Sequence, residues 1–231
     1  MAEASPGGTD GSKRKVYDVE SLLAVAVAVF NEQGYDGTSM EDLSKRLGIT
    51  KSAIYHHVES KEAMLSIALD RALEGLFALV ADTSGTGTAA VERLEHLVRA
   101  SVNLLVERLP YVTLLLRVRG NTEVERRALD QRRTFDRVVA DLVKQAQREG
   151  DIRSDVDPGL TARLVFGMVN SLVEWHHPAD HPAGPDIADA VARLAFDGLR
   201  ATSSQLSRPR KVPSDAPRRA APAGRAARTP R

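Results

Sequence analysis

Residues 38–61 read TSMEDLSKRLGITKSAIYHHVESK. Thr38 and Ser39 are each followed three positions later by a carboxylate, Glu41 and Asp42. That is the capping-box pattern, in which a hydroxyl and an acid satisfy the free amides of a helix start. Met40, Leu43 and Leu47 then recur at helical spacing, and Gly48 stands where a left-handed residue can end a helix. Ile49 plugs the corner, and Thr50 caps a second helix with Lys51 and Ser52 in its first turn. Ala53, Ile54 and Val58 are expected to face inward, with Ser52, Tyr55 and His56 outward and His57 packed or bonded internally. Ser60 caps a third helix that opens with Lys61.

Two short helices joined by a tight turn form a helix-turn-helix corner. The second helix, of about seven residues, is roughly 10 Å long at about 1.5 Å per residue. That suffices for a major groove, where the first turn or two need reach base edges. Free amides at its start, together with Lys51, suit phosphate oxygens. Lys61 is expected to clamp a second phosphate. A helical corner with a solvated charged face would show the same pattern, because capping boxes are not specific to DNA binders.

The segment and its surroundings resemble the DNA-binding domain of TetR-type transcriptional repressors. Phe30, Gly34, Tyr35, Thr38 and Ser39 match that family's first stretch. Gly48, Ile49, Thr50, Ile54, Tyr55, His57, Lys61, Met64 and Leu65 match the second, in order and spacing. Three positions depart from the pattern: Leu47 replaces the usual Ala, Ser52 the usual Gly and Val58 the usual Phe. By that resemblance Ser52 is near the DNA and bears on which operator is read. The resemblance implies DNA contacts from Thr38, Ser39, Thr50, Lys51, Ser52, Tyr55, His56 and Lys61.

The 231-residue chain is long enough for one medium or two small domains. It has no cysteine, which excludes disulfides, thiolate zinc sites and thiol nucleophiles. The N-terminus lacks the apolar core of a signal peptide, and the run Leu22 to Phe30 is too short to span a bilayer. These features fit a cytoplasmic protein with no membrane partner. The net charge of +1 conceals an asymmetry. Residues 203–231 hold eight basic residues against Asp215 alone, so the rest of the chain is near −6. Affinity for DNA must therefore come from a local patch.

Periodicity along the chain predicts an all-α fold of about nine helices. Residues 1–15 are expected to be a disordered arm, 16–62 the helix-turn-helix domain, 63–203 a ligand-binding and dimerisation domain, and 204–231 a disordered basic tail. Helices are expected over about 18–33, 60–81, 88–108, 122–149, 158–175 and 186–203, with Pro110 in the first turn of another that ends at Gly120-Asn121. The Gly-Thr stretch DTSGTGT lacks the Lys of a phosphate loop and reads as a connector.

The last two helices are rich in small and apolar residues, which can complete a monomer core or join two copies. The family resemblance implies a homodimer through a four-helix bundle, with Leu164, Met168, Leu172, Val191 and Leu194 at the interface. Two reading heads would then meet a palindromic operator at grooves about 34 Å apart. The resemblance also implies an effector pocket among residues 88–176, with Leu114, Phe135 and Phe166 along its apolar end, Asn170 beside them, and Arg117 and Arg119 at a cationic rim. The segment from Pro110 to Asn121 and the phrase FGMVNSLVEW resemble regulators of fatty, steroid or aromatic acid catabolism, whose effectors are often acyl-CoA or aryl-CoA thioesters. The same aromatics can be plain core, and the same arginines a solvated face.

His176, His177 and His181 lack the spacing of a metal site, and no cofactor is expected. An acyl-CoA-acting helical enzyme and a nucleic-acid coat protein working through the basic tail are the competing classes. No G-x-S-x-G motif and no paired carboxylates support the first.

Overall fold

A helix must satisfy its first amides before it can persist. In the computed structural model, which describes residues 18–83, 87–177 and 186–200, most helices do so with the residue just before them. Asp18 caps α1 (Val19–Gln33), Ser39 caps α2 (Met40–Leu47), Thr50 caps α3 (Lys51–Tyr55) and Ser60 caps α4 (Lys61–Asp82). Thr122 caps α7 (Glu123–Glu149), Asp157 caps α8 (Pro158–Trp175) and Asp186 caps α9 (Ile187–Leu199). The other two solve the problem differently. In α5 (Ala90–Glu107) the Ala90 amide donates to Glu149 Oε2, at 2.8 Å, on the far end of α7. In α6 (Leu109–Arg117) Pro110 sits in the first turn, where its missing amide is no loss.

Among the described residues there are nine helices, and the β-type pairing is one isolated bridge between Ile152 and Arg200. The expected bounds hold within a residue or two, with two exceptions. The last helix, expected to reach 203, ends at Leu199, and Arg200 has already left the helical conformation. The helix through Leu114 stops at Arg117, and Val118 is already extended. Gly120, at φ +88°, turns the chain toward α7. The N-terminal arm, residues 201–203 of the last expected helix, the Pro-rich loop with His181 and the basic tail lie outside the described residues.

The head is α1, α2 and α3 around Leu22, Ala26, Phe30, Leu43, Leu47 and Ile54, all buried. α4 belongs to both ends of the molecule. Met64 and Leu65 sit in the head's core, and Leu69, Ala72 and Leu73 continue the same buried stripe beyond it. In the body α7 is central, packing against α4, α5 and α8, while α9 lies on α5 and α8. α6 touches α1 as well as α4, α5 and α8, so the head meets the body at two helices rather than one.

Candidate nucleic-acid interface and interior cavity

The corner formed by α2 and α3 is held by local bonds. The Asp42 amide donates to Ser39 Oγ at 3.2 Å, and the Ser39 amide donates back to Asp42 Oδ2 at 2.9 Å. The Ser39 hydroxyl and then its amide hold the Asp42 carboxyl below the ordinary carboxylate value. Gly48 adopts φ +69° and donates to the Ser44 carbonyl at 2.9 Å, the left-handed stop that a side chain would strain. The Ala53 amide donates to Thr50 Oγ1 at 3.2 Å. Ile54, fully buried, pins the short α3 to the head.

That anchor decides which side chains face out. Ser39, Thr50, Lys51, Ser52, Tyr55 and His56 are exposed, and Tyr55 keeps 51% of its surface. His57 is exposed too, contrary to the inward position expected. α3 ends at Tyr55, two residues sooner than a seven-residue helix, so His57 lies in the turn beyond it. Lys51 pairs with Glu41 at 3.1 Å, an exposed pair that a phosphate can displace at little cost.

Two of the expected DNA contacts are occupied within the head. Thr38 is buried and its hydroxyl donates to the Gly34 carbonyl at 2.7 Å. The Lys61 ammonium donates to the carbonyls of Tyr35 and Thr38, at 2.8 and 2.7 Å, and lies 4.2 Å from the Tyr35 ring centroid. Lys61 is therefore a brace across the α1–α2 turn rather than a free clamp. Sequence spacing places it at a helix start but cannot show that two carbonyls point back at it.

The six residues expected to form one pocket fall on two sides of α6. Phe135, Phe166 and Asn170 line an interior cavity of about 40 Å³ with Ser101, Leu105, Val112, Leu115, Leu116 and Arg132. Phe135 meets Phe166 edge to face, with ring centroids 5.2 Å apart. Leu114, Arg117 and Arg119 instead line an open cleft of about 590 Å³ against the α1–α2 turn. Facing residues of one helix point to opposite sides, and α6 is the wall between the two spaces. The cleft is crossed by specific bonds. Asn31 Nδ2 donates to the Pro110 carbonyl at 2.8 Å, Arg117 donates to the Asn31 carbonyl at 3.2 Å, and Asn121 Nδ2 donates to Asp36 Oδ2 at 2.6 Å.

The interior cavity's charges are not a cationic rim. Arg132 and, one turn later, Asp136 both line it. Burial pulls the Arg132 guanidinium below its usual value, a shift the Asp136 carboxylate opposes. Burial pushes the Asp136 carboxyl up, opposed by Arg132 and Arg163. Sequence reasoning missed both residues. The available signal was a charge in the inward stripe of α7, where Arg132 falls between Ala128 and Phe135 at helical spacing.

The outer faces of α8 and α9 carry a second surface. Leu160, Leu164, Met168 and Trp175 recur along one side of α8 and are exposed, Leu164 by 60%. On α9 Leu194 is exposed by 74%. Leu172 and Val191, expected at an interface, are instead buried in the protomer's own core. Gly167 lies on the exposed side with open space around it, whereas Ala195 is buried. His176 is buried at the end of α8 beside the Trp175 ring, and His177 is exposed.

A capped helix-turn-helix head joined by two helices to a helical body with an interior cavity is the build of a DNA-binding regulator rather than an enzyme. Residues 22–66 match the bacterial regulatory proteins of the TetR family, and residues 87–199 match the tetracyclin repressor-like C-terminal domain. The chain belongs to the TetR family of transcriptional regulators. It is 54% identical to a TetR-family regulator from Streptomyces coelicolor A3, whose crystal structure superposes with a TM-score of 0.73 over 80% of this chain and 94% of that one. It is 29% identical to the transcriptional repressor KstR2 of Mycobacterium tuberculosis, over 77% of this chain and 90% of that protein. It also resembles AibR in complex with isovaleryl coenzyme A and operator DNA, at 26% identity and a TM-score of 0.64 over 77% of this chain and 97% of that one. No helix among the described residues is long and apolar enough to cross a membrane.

Proposed function

We infer that the chain is a homodimeric, cytoplasmic repressor of a catabolic operon, released from a palindromic operator by an acyl-CoA-type effector. Residues 16–62 serve as the reading head and 63–203 as the effector and dimer body. The observation that carries this reading is the exposed face of α3, where Ser52, Tyr55 and His56 stand outward from a corner locked by Ile54 and two caps. A rigid, short helix with polar and aromatic side chains outward suits base-edge contact, and Thr50 and Lys51 at its start suit phosphate. KstR2 is named a repressor, and AibR binds both an acyl-CoA and its operator, which supports the remaining parts.

The cavity of about 40 Å³ holds about one water molecule. An acyl chain can therefore enter only if the wall moves, and α6 is the wall that also bonds to α1. Entry of the effector and displacement of the head become one event. The exposed apolar stripe on α8 and α9 is assigned to the partner subunit.

The test uses DNA from upstream of the chain's own coding region and its neighbours. Wild-type protein is expected to bind one symmetric site, and Tyr55→Ala to lose that binding by at least about tenfold while keeping its helical content. CoA thioesters are then screened for release. Equal binding by wild type and Tyr55→Ala would remove α3 as the reading helix. Failure of every thioester to release the complex would remove the effector class alone.

A further inference from the structure

The interior cavity has two polar features that its apolar lining leaves unexplained. The Ser101 hydroxyl is buried on its wall and has no hydrogen-bond partner among the described residues. Buried polar groups are nearly always paired, so an orphan facing a cavity points to a polar ligand atom. Arg132 brings a guanidinium to the same space. It donates to the Leu115 carbonyl at 3.2 Å and makes no other hydrogen bond among the described residues. Asp136 shares the lining one turn away.

An acid beside a base selects the charge state of what can bind. A carboxylate arriving at Arg132 shares the cavity with Asp136 and meets a like charge there. An uncharged carbonyl meets no such repulsion and still offers Arg132 an acceptor.

We propose that the ligand of this cavity is an acyl compound whose uncharged carbonyl, as a thioester, ester or amide, is read by Arg132, and that reading it draws Arg132 off the Leu115 carbonyl. The proposal rests on the cavity being the effector site. Leu115 lies two residues before Arg117, which is bonded to Asn31 in α1, and Asn31 is bonded back to Pro110. Loss of the Arg132 bond therefore frees the α6 segment that ties body to head. Arg132 thus joins ligand recognition to the head–body contacts, and Asp136 sets the discrimination against free acids. Ser101 supplies a second donor inside the cavity.

The experiment compares N-acetylcysteamine thioesters of short branched and medium straight-chain acids with the corresponding free acids, measured by calorimetry and by release of labelled operator at neutral pH. The thioester is expected to bind at least about tenfold more tightly than the acid of the same chain. Arg132→Gln is expected to weaken the thioester by about ten- to hundredfold, the loss of one hydrogen bond to a charged donor. Asp136→Asn is expected to raise the affinity for the free acid by about tenfold and narrow the gap. Operator affinity without ligand is measured for each variant, so release is read as a ratio. Acids binding as tightly as thioesters in wild type would overturn the proposal. So would unchanged thioester affinity in Arg132→Gln. If Arg132→Gln does not fold, Asp136→Asn decides, and no gain for the acid overturns it. If neither class binds wild type, this proposal is overturned, while the screen of CoA thioesters decides the effector class separately and the Tyr55→Ala result on operator binding stands apart.

Discussion

The Lys61 ammonium caps the carbonyl of Tyr35 at 2.8 Å and lies against the face of the same residue's ring, 4.2 Å from its centroid. One side chain at the start of α4 thereby fixes the turn between α1 and α2 from both its backbone and its aromatic side. Phe30 packs edge to face on the same ring, with centroids 5.2 Å apart, so the brace reaches the head's core.

This separates two lysines that look alike in sequence. Lys61→Ala is expected to destabilise the protein by about 2 kcal/mol, because it removes charged hydrogen bonds to part-buried carbonyls. Operator binding should weaken through the distorted corner, with the salt dependence unchanged. Lys51→Ala should leave stability nearly untouched and lower the salt slope by about one unit. Titrations over a salt series, with urea melts alongside, measure both. A reduced slope in Lys61→Ala would make it a phosphate contact after all.

Exposure divides the candidate interface residues. Leu194→Arg alters a side chain 74% exposed in the protomer and should leave a folded monomer. Leu172→Arg alters a fully buried one and should unfold the chain, since an unpaired buried charge costs several kcal/mol. Sedimentation and circular dichroism distinguish these outcomes. A folded Leu172→Arg protein, or a Leu194→Arg protein still dimeric, would reassign the interface.

Ser101 carries an orphan hydroxyl in the cavity wall. Ser101→Ala removes an unsatisfied polar atom and is expected to stabilise the unliganded protein by roughly 1 kcal/mol, raising the melting midpoint by about 2–4 °C. The same change should weaken a carbonyl-bearing ligand. Thermal melts with and without thioester test the two signs together, and a lower midpoint for the unliganded variant would show that the hydroxyl is bonded.

The capping box has a pH signature. Asp42 titrates below its ordinary value near 3.8 because the Ser39 hydroxyl and amide bond its charged form. A carboxyl lowered in the folded state stabilises above its unfolded value, and that contribution is lost as pH falls through the folded one. Asp42→Asn should therefore be less stable than wild type at pH 6, with the gap narrowing as the pH drops below about 3.8. Urea melts at both pH values check this, and a constant gap would remove the ionic part of the cap.

Local chemistry was legible residue by residue. Ser39 with Asp42, Gly48, Thr50 and Asp157-Pro158 mark helix ends by interactions that reach no further than four residues, so their spacing alone locates α2, α3 and α8. The same spacing shows that Tyr55 opposes Ile54 and faces outward. What spacing could not show is the long-range partner of each outward or inward side chain. Lys61 meets carbonyls 23 and 26 residues away, and Arg132 meets one 17 residues away. Leu172 and Val191 share the apolar composition of Leu164 and Leu194, and packing against other helices alone sends the first pair into the core and leaves the second outside. Leu114 and Leu115 are neighbours in sequence, yet one lines the cleft toward the head and the other the interior cavity. A helix period predicts that adjacent residues diverge. Which space each then enters depends on the helices packed around α6, and those contacts exist only once the chain has folded.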